Sequence, residues 1–463
     1  MKSSVGLIGL GTMGAALARN IASRDVQISV WNRTREKIAE FYANWPNENF
    51  YLPTSFEDFI ESLEKPRKII LMVPAGEPMN EVMGTLIGFL EAGDTVMDGG
   101  NSHFRDTEIF QRELSPKGVN FLGTGISGGE IGALKGPSIM PGGTKEAWQA
   151  FEPILNAISA EDFSGKACVS YMGSAGAGHY VKMIHNGIEY AELEMISEAY
   201  DFFHSIYRLK NDEIADIFAK WNNGKLSSYL TEITVNVLRQ KDGDHNLIDL
   251  ISDKAGQKGT GLWTGEESLH LGVPALSITS AVYMRILSSN KDSRIELNKI
   301  YPKHEEVPNM IVPELVDHFE KALLMTRLIN FEQGFEILRA ADLQYKFGLN
   351  LAEISRIWQG GCIIRNAMLK EIHDAFIVRG DSLYNSEFAQ ELIKDCEKSL
   401  RIILGISVKY GLPMIAFSSA LTHFDTSRRI SLPTNLIQGM RDFFGAHGYE
   451  RIDRDGKFHT DWL

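Results

Sequence analysis

The chain has 463 residues, more than one ordinary domain holds, and its 44% hydrophobic and 23% charged residues are a globular composition. A net charge of -13 argues against general attraction to nucleic acid or to anionic membrane, so an anionic substrate needs a local cationic pocket. Cys168, Cys362 and Cys396 lie too far apart for a metal-ligand spacing or a disulfide framework, their odd number suits a reducing cytosol, and no apolar run reaches the roughly eighteen residues of a membrane helix.

Residues 4–9, SVGLIG, read as a buried parallel strand. Glycines at regular intervals interrupt the apolar N-terminal stretch, so it is expected to be part of the fold and not an export signal. GTMGAALARNIAS then opens a helix. Strands are expected at 26–32, 68–73, 95–98, 119–123, 138–143 and 168–173, with helical patterns between several of them. This alternation predicts a Rossmann-like, doubly wound α/β domain over residues 1–178. From 179 to 430 the pattern is helical and predicts a large all-α domain. It carries a faint internal duplication: DEIADIFAKWNNG at 212–224 matches LNLAEISRIWQGG at 349–361. Residues 431–463 read as a C-terminal tail.

Gly9-Leu10-Gly11-Thr12-Met13-Gly14 fits G-x-G-x-x-G in the context that the motif requires, after a strand and at the start of a helix. The first glycine allows the turn, the second lets a pyrophosphate approach the backbone, and the third lets helix and strand pack closely. The helix N-terminus favours the negative charge. After the second strand, where a site for NAD usually holds an acid, this chain has Asn32, Arg33 and Thr34. That trio suits a 2'-phosphate and predicts NADP, although Thr34 is also a possible helix cap. VPAG (73–76), DGGNS (98–102) and GISGG (125–129) fall at the carboxyl ends of strands, where open α/β sheets bind ligands.

VKMIHNGIEY spans residues 181–190. On a helix, Lys182 and Glu189 project within about 20° of each other, flanked by His185 and Asn186, while Val181, Ile184 and Ile188 lie elsewhere. Alcohol oxidation needs a base, and burial makes a lysine available for that task. A second ionisable group, Glu189, points to a second proton transfer. KAGQKGTG (254–261) is a glycine-rich loop with Lys258 and Thr260; it lacks P-loop spacing and on its own reads as a mobile loop. Arg285, in an apolar helical context, calls for an anionic partner.

These motifs, with the terminal RDFFGAH at 441–447, closely resemble the decarboxylating 6-phosphogluconate dehydrogenases over essentially the whole chain. The resemblance implies oxidation of 6-phosphogluconate to ribulose 5-phosphate and CO2 with reduction of NADP+, a step of the pentose phosphate pathway, in a cytoplasmic homodimer with shared active sites and no metal. It implies NADP contacts at Gly9 to Gly14, Asn32, Arg33, Thr34, Val73, Pro74, Ala75 and Asn101. It implies substrate contacts at Asn101, Ser127, Gly128, Gly129, His185, Asn186, Tyr190, Lys258 and Arg285, with Arg441 and His447 arriving from the other subunit. Lys182 is implied as the base and Glu189 as the later proton donor. One departure is Pro74, where many members carry Lys; proline removes an amide donor and a charge. Two rival readings are a β-hydroxyacid dehydrogenase without decarboxylation and a catalytically silent NADP sensor. Neither calls for Lys182, Glu189, Lys258 and the tail together.

Overall fold

The computed structural model describes residues 2–257, 259–302 and 312–463; Lys258 lies outside them. Seven strands form one sheet in the order β3-β2-β1-β4-β5-β6-β7. They are β1 (Val5–Ile8), β2 (Ile28–Trp31), β3 (Phe50–Tyr51), β4 (Lys68–Leu71), β5 (Thr95–Asp98), β6 (Asn120–Ile126) and β7 (Ile139–Gly143). The first six run parallel, and β7 returns antiparallel to β6. Strand order reverses between β1 and β4, so the loops that follow these two strands diverge and leave a crevice.

Two details differ from the sequence expectation. The edge strand β3 has only two residues, too short for period or composition to reveal. Residues 168–173 form no strand; they join β7 by isolated bridges at Val169 and Gly173. Apolar residues at 168, 169 and 172 imitate a strand pattern, but Cys168 and Met172 are buried in the core of the helical region while Val169 joins the core of the sheet.

The chain then enters a helix of 25 residues, Ala177–Asp201. Its first turn rests on the sheet through glycines. A Cβ at Gly178 would lie 2.2 Å from the Gly123 carbonyl oxygen and 2.4 Å from that of Met140; a Cβ at Gly125 would lie 2.3 Å from the Lys182 Cβ. No larger residue at Gly125 or Gly178 permits this approach. The helix is buried nearly all round, packed against the sheet at one end and against the helices Thr260–His270, Leu276–Ser288 and Val312–Tyr345 along its length. Gly334 admits the Ile188 side chain in the same way, since a Cβ there would meet it at 2.5 Å.

The two similar helical segments both bury their tryptophans, Trp221 and Trp358, in the common core. The chain that follows each one pairs with the other: Tyr229 N–H donates to the Arg365 carbonyl at 3.1 Å, and Ala367 N–H donates to that of Ser227 at 2.9 Å.

The terminal segment is structured. A helix, Thr434–Gly445, precedes a short hairpin of Tyr449–Glu450 with Lys457–Phe458. Fully buried Asp442 ties them together, accepting from Gly448 N–H, His459 Nδ1, Thr460 N–H and Trp462 Nε1 at 2.9 to 3.1 Å. These donors hold its carboxyl far below the usual carboxylate range, against the opposing effect of desolvation.

Candidate active site

The fingerprint loop is shaped by backbone contacts. Gly9 has φ +106°, and a Cβ there would lie 2.5 Å from the Met72 carbonyl oxygen; a Cβ at Gly14 would lie 1.9 Å from that of Gly9. Beside Gly11 there is only open space. Two glycines are thus needed for packing, and the third leaves room for a ligand, which is the division of labour a pyrophosphate cradle requires. Leu10 turns its side chain into the core, and its N–H donates to Asn32 Oδ1 at 3.0 Å. Asn32 in turn donates to the Thr34 carbonyl at 3.0 Å. Asn32 therefore fastens the fingerprint to the turn after β2. Thr34 is not the cap of the next helix; Arg35 occupies that position.

A cavity of about 650 Å³ opens over this turn, lined by Gly9, Asn32, Arg33, Thr34, Val73 and Pro74 among others. Sequence reading missed Lys37 and Glu81 here. Lys37, four residues beyond Arg33 at the start of the helix Glu36–Asn44, was legible as a second cation; Glu81 reaches the cavity from the helix Glu77–Leu86, far along the chain.

The larger cavity, about 1080 Å³, lies beyond the carboxyl ends of β1, β4, β5 and β6. It brings together Gly11 to Gly14, Val73, Pro74, Ala75, Asn101 and the Ser127-Gly128-Gly129 turn. From the long helix come Lys182, Asn186, Glu189 and Tyr190, and Arg285 faces them. Met72, Trp263 and Ile363 also line it, without any polar pattern to announce them. His185 stands behind this wall, fully buried, with Nε2 3.2 Å from Ser127 Oγ and Nδ1 3.2 Å from Asn186 Oδ1. Burial, then the nearby Lys182, holds its pKa well below the ordinary histidine value, so the ring is neutral.

Lys182 is only 7% exposed. Burial pushes its pKa down, opposed by the Glu189 charge. Burial pushes Glu189 up, opposed by Lys182 and Arg285. Burial therefore moves Lys182 towards its neutral form and Glu189 towards its protonated form. The Arg285 guanidinium stacks 3.5 Å above the Tyr190 ring centroid and donates to the Gly256 carbonyl at 3.0 Å, leaving further donors available. Arg441 and His447 are exposed on the tail and line neither cavity within one chain. Among the described residues no cluster of His, Cys, Asp or Glu has the form of a metal site, and no helix is long and apolar enough to cross a membrane.

A dinucleotide cradle opening onto buried Lys182 and half-buried Glu189 defines a nucleotide-dependent oxidoreductase. Comparison with known proteins makes this specific. Residues 4–173 match the NAD binding domain of 6-phosphogluconate dehydrogenase, and residues 178–462 match the C-terminal domain of the same enzyme. The chain is 44% identical over 465 residues to the decarboxylating 6-phosphogluconate dehydrogenase of Escherichia coli K12, covering 100% of this chain and 99% of that protein. It is 44% identical over 467 residues, at the same coverage, to the NADP(+)-dependent, decarboxylating enzyme of Bacillus subtilis 168. The solved Plasmodium falciparum 6-phosphogluconate dehydrogenase, studied apo and with NADP+ and 6-phosphogluconate, superposes with a TM-score of 0.95 at 38% identity, covering 99% of this chain and 100% of that one. The chain belongs to the 6-phosphogluconate dehydrogenase family.

Proposed function

We propose that this protein oxidises 6-phosphogluconate with NADP+ and decarboxylates the product to ribulose 5-phosphate, the step implied for the pentose phosphate pathway. The observation that carries this reading is the placing of Lys182 and Glu189 on one helix face that lines the cavity at the mouth of the dinucleotide cradle. The open space beside Gly11 and the cations at Arg33 and Lys37 fit a pyrophosphate and a 2'-phosphate. Bound there, NADP+ supplies the hydride acceptor.

Neutral Lys182 takes the C3 hydroxyl proton as hydride leaves C3. The 3-keto acid that results is a β-keto acid, so its C1 carboxylate departs as CO2 while electrons flow to the C3 carbonyl oxygen. Protonated Lys182 stabilises the charge that develops on that oxygen. Protonated Glu189 then delivers its proton to C1 of the enediol. Asn101, the Ser127–Gly129 turn, Asn186 and Tyr190 orient the sugar, His185 acting through its hydrogen bond to Ser127, while Lys258 and Arg285 provide the cations an anionic substrate needs.

The supporting assay follows NADP+ reduction by 6-phosphogluconate in EDTA while trapping CO2. Reduced cofactor and CO2 in step are expected. Reduction without CO2 would move the reading to a simple β-hydroxyacid dehydrogenase. Glu189→Gln provides a second check. It removes the proton donor and is expected to lower turnover by about 10²–10⁴-fold; near-native turnover would remove Glu189 from the second proton transfer.

The proposed organisation is a cofactor domain over 1–178, a helical substrate domain over 179–430 and a tail over 431–463 that reaches a second subunit of a homodimer. The tail helix supports this, because its apolar face is exposed, with Phe444 71% accessible. Truncation before Arg441 is expected to raise the Michaelis constant for 6-phosphogluconate by about a hundredfold or more, since it removes two charge-assisted contacts of about 1.5–3 kcal/mol each. An unchanged constant would remove the tail from the site. All three cysteines are free and buried, in keeping with the cytosolic location proposed here.

A further inference from the structure

The cavity over the turn after β2, whose cations were proposed above to meet the 2'-phosphate, holds a feature that a 2'-phosphate site does not require. Its three ionisable lining residues are Arg33, Lys37 and Glu81. Glu81 Oε2 accepts from the Arg33 guanidinium at 2.7 Å, closing an ion pair across the pocket between the turn after β2 and the helix Glu77–Leu86. Lys37 has no ion pair among the described residues. Pro74, on the same lining, contributes neither charge nor amide donor. The local balance is two cations against one anion, and the anion already engages one of the cations.

We infer that Glu81 is a cofactor-selectivity residue: its carboxylate competes with the 2'-phosphate for Arg33 and offers an acceptor to an unphosphorylated ribose 2'-hydroxyl. Sites for NAD usually place an acid at the end of the second strand for that hydroxyl. Here the end of β2 is neutral or cationic, and the acid comes instead from the helix after β4. Both partners of the pair are mostly exposed, so their contact is weak and readily exchanged. A 2'-phosphate entering this pocket displaces Glu81 from Arg33 and then sits beside its charge. A 2'-hydroxyl can leave the pair in place. The carboxylate therefore lowers discrimination between the two cofactors without blocking either.

This inference rests on the cofactor reading above, and its test separates the two. Calorimetric titration of the full-length protein with 2',5'-ADP and with 5'-AMP, for the native chain and for Glu81→Gln, reads the pocket without any turnover. Glu81→Gln is expected to tighten 2',5'-ADP about tenfold, the effect of removing one unit charge a few ångströms away in a largely aqueous setting. It is expected to leave 5'-AMP within about twofold or to weaken it. In an Arg33→Ala background the gain is expected to shrink, because the group contested by the two anions is gone. An unchanged 2',5'-ADP affinity, or an equal gain for both nucleotides, would overturn the role of Glu81 and leave the cofactor site standing. Failure of both nucleotides to bind the native chain would overturn the cofactor site itself, and the role of Glu81 with it.

Discussion

Lys182→Ala is expected to lower turnover by about a thousandfold or more while NADP+ still binds. General-base catalysis alone contributes about 10²–10⁴-fold. In the proposed scheme Lys182 also carries the positive charge that stabilises the departing electron pair, so the one substitution removes help from two successive steps. Cofactor affinity is expected to survive because the cradle is formed by Gly9, Gly11, Gly14 and the loop after β4, all independent of this side chain. A stopped-flow or steady-state assay beside a cofactor titration checks both halves. Near-native turnover would exclude Lys182 as the base, and lost cofactor binding would make its role structural.

Gly178→Ala is expected to damage the fold more than any single substitution in the catalytic face. The added methyl would lie 2.2 Å from the Gly123 carbonyl oxygen, 2.4 Å from that of Met140 and 2.6 Å from the Gly142 nitrogen. All three are backbone atoms of the sheet, with no flexible side chain to yield. Overpacking in a core costs about 1–3 kcal/mol where neighbours can adjust, so a loss of at least about 3 kcal/mol is expected here. Denaturant unfolding measures it. A variant that retains its unfolding midpoint and also its turnover would mean that the helix can lift off the sheet without consequence, which contradicts the glycine contact as the device that sets the depth of Lys182.

Much of this architecture was legible because its signals are local. The fingerprint glycines, the alternation of strand and helix and the stripe from Lys182 to Glu189 each follow from spacing within a few residues. Less legible was anything set by contacts distant in sequence. Residues 168–173 have the composition of a strand, yet their side chains divide between two cores, which a linear pattern cannot express. Asn32 reads as a ligand group, but its carbonyl is committed to Leu10. Glu81 lies 48 residues from Arg33, inside a helix that carries no motif. Asp442 reads as one more polar residue of a solvated tail, and only the folded chain shows it gathering four donors.

The helix Ala177–Asp201 runs unbroken from its seat on the sheet into the centre of the bundle. Lys182 and Glu189 stand on this single rod, seven residues and about 10.5 Å apart along its axis. Their separation is thus a fixed baseline. Because the start of the helix is seated on the sheet at Gly125 and Gly178, the same rod also fixes Lys182 and Glu189 relative to the strand ends that carry the fingerprint loop. In the proposed scheme the geometry linking the two proton transfers is thus set in the backbone. A one-residue insertion between them would turn Glu189 by about 100° out of the cavity, so the spacing tolerates substitution but not a change in length.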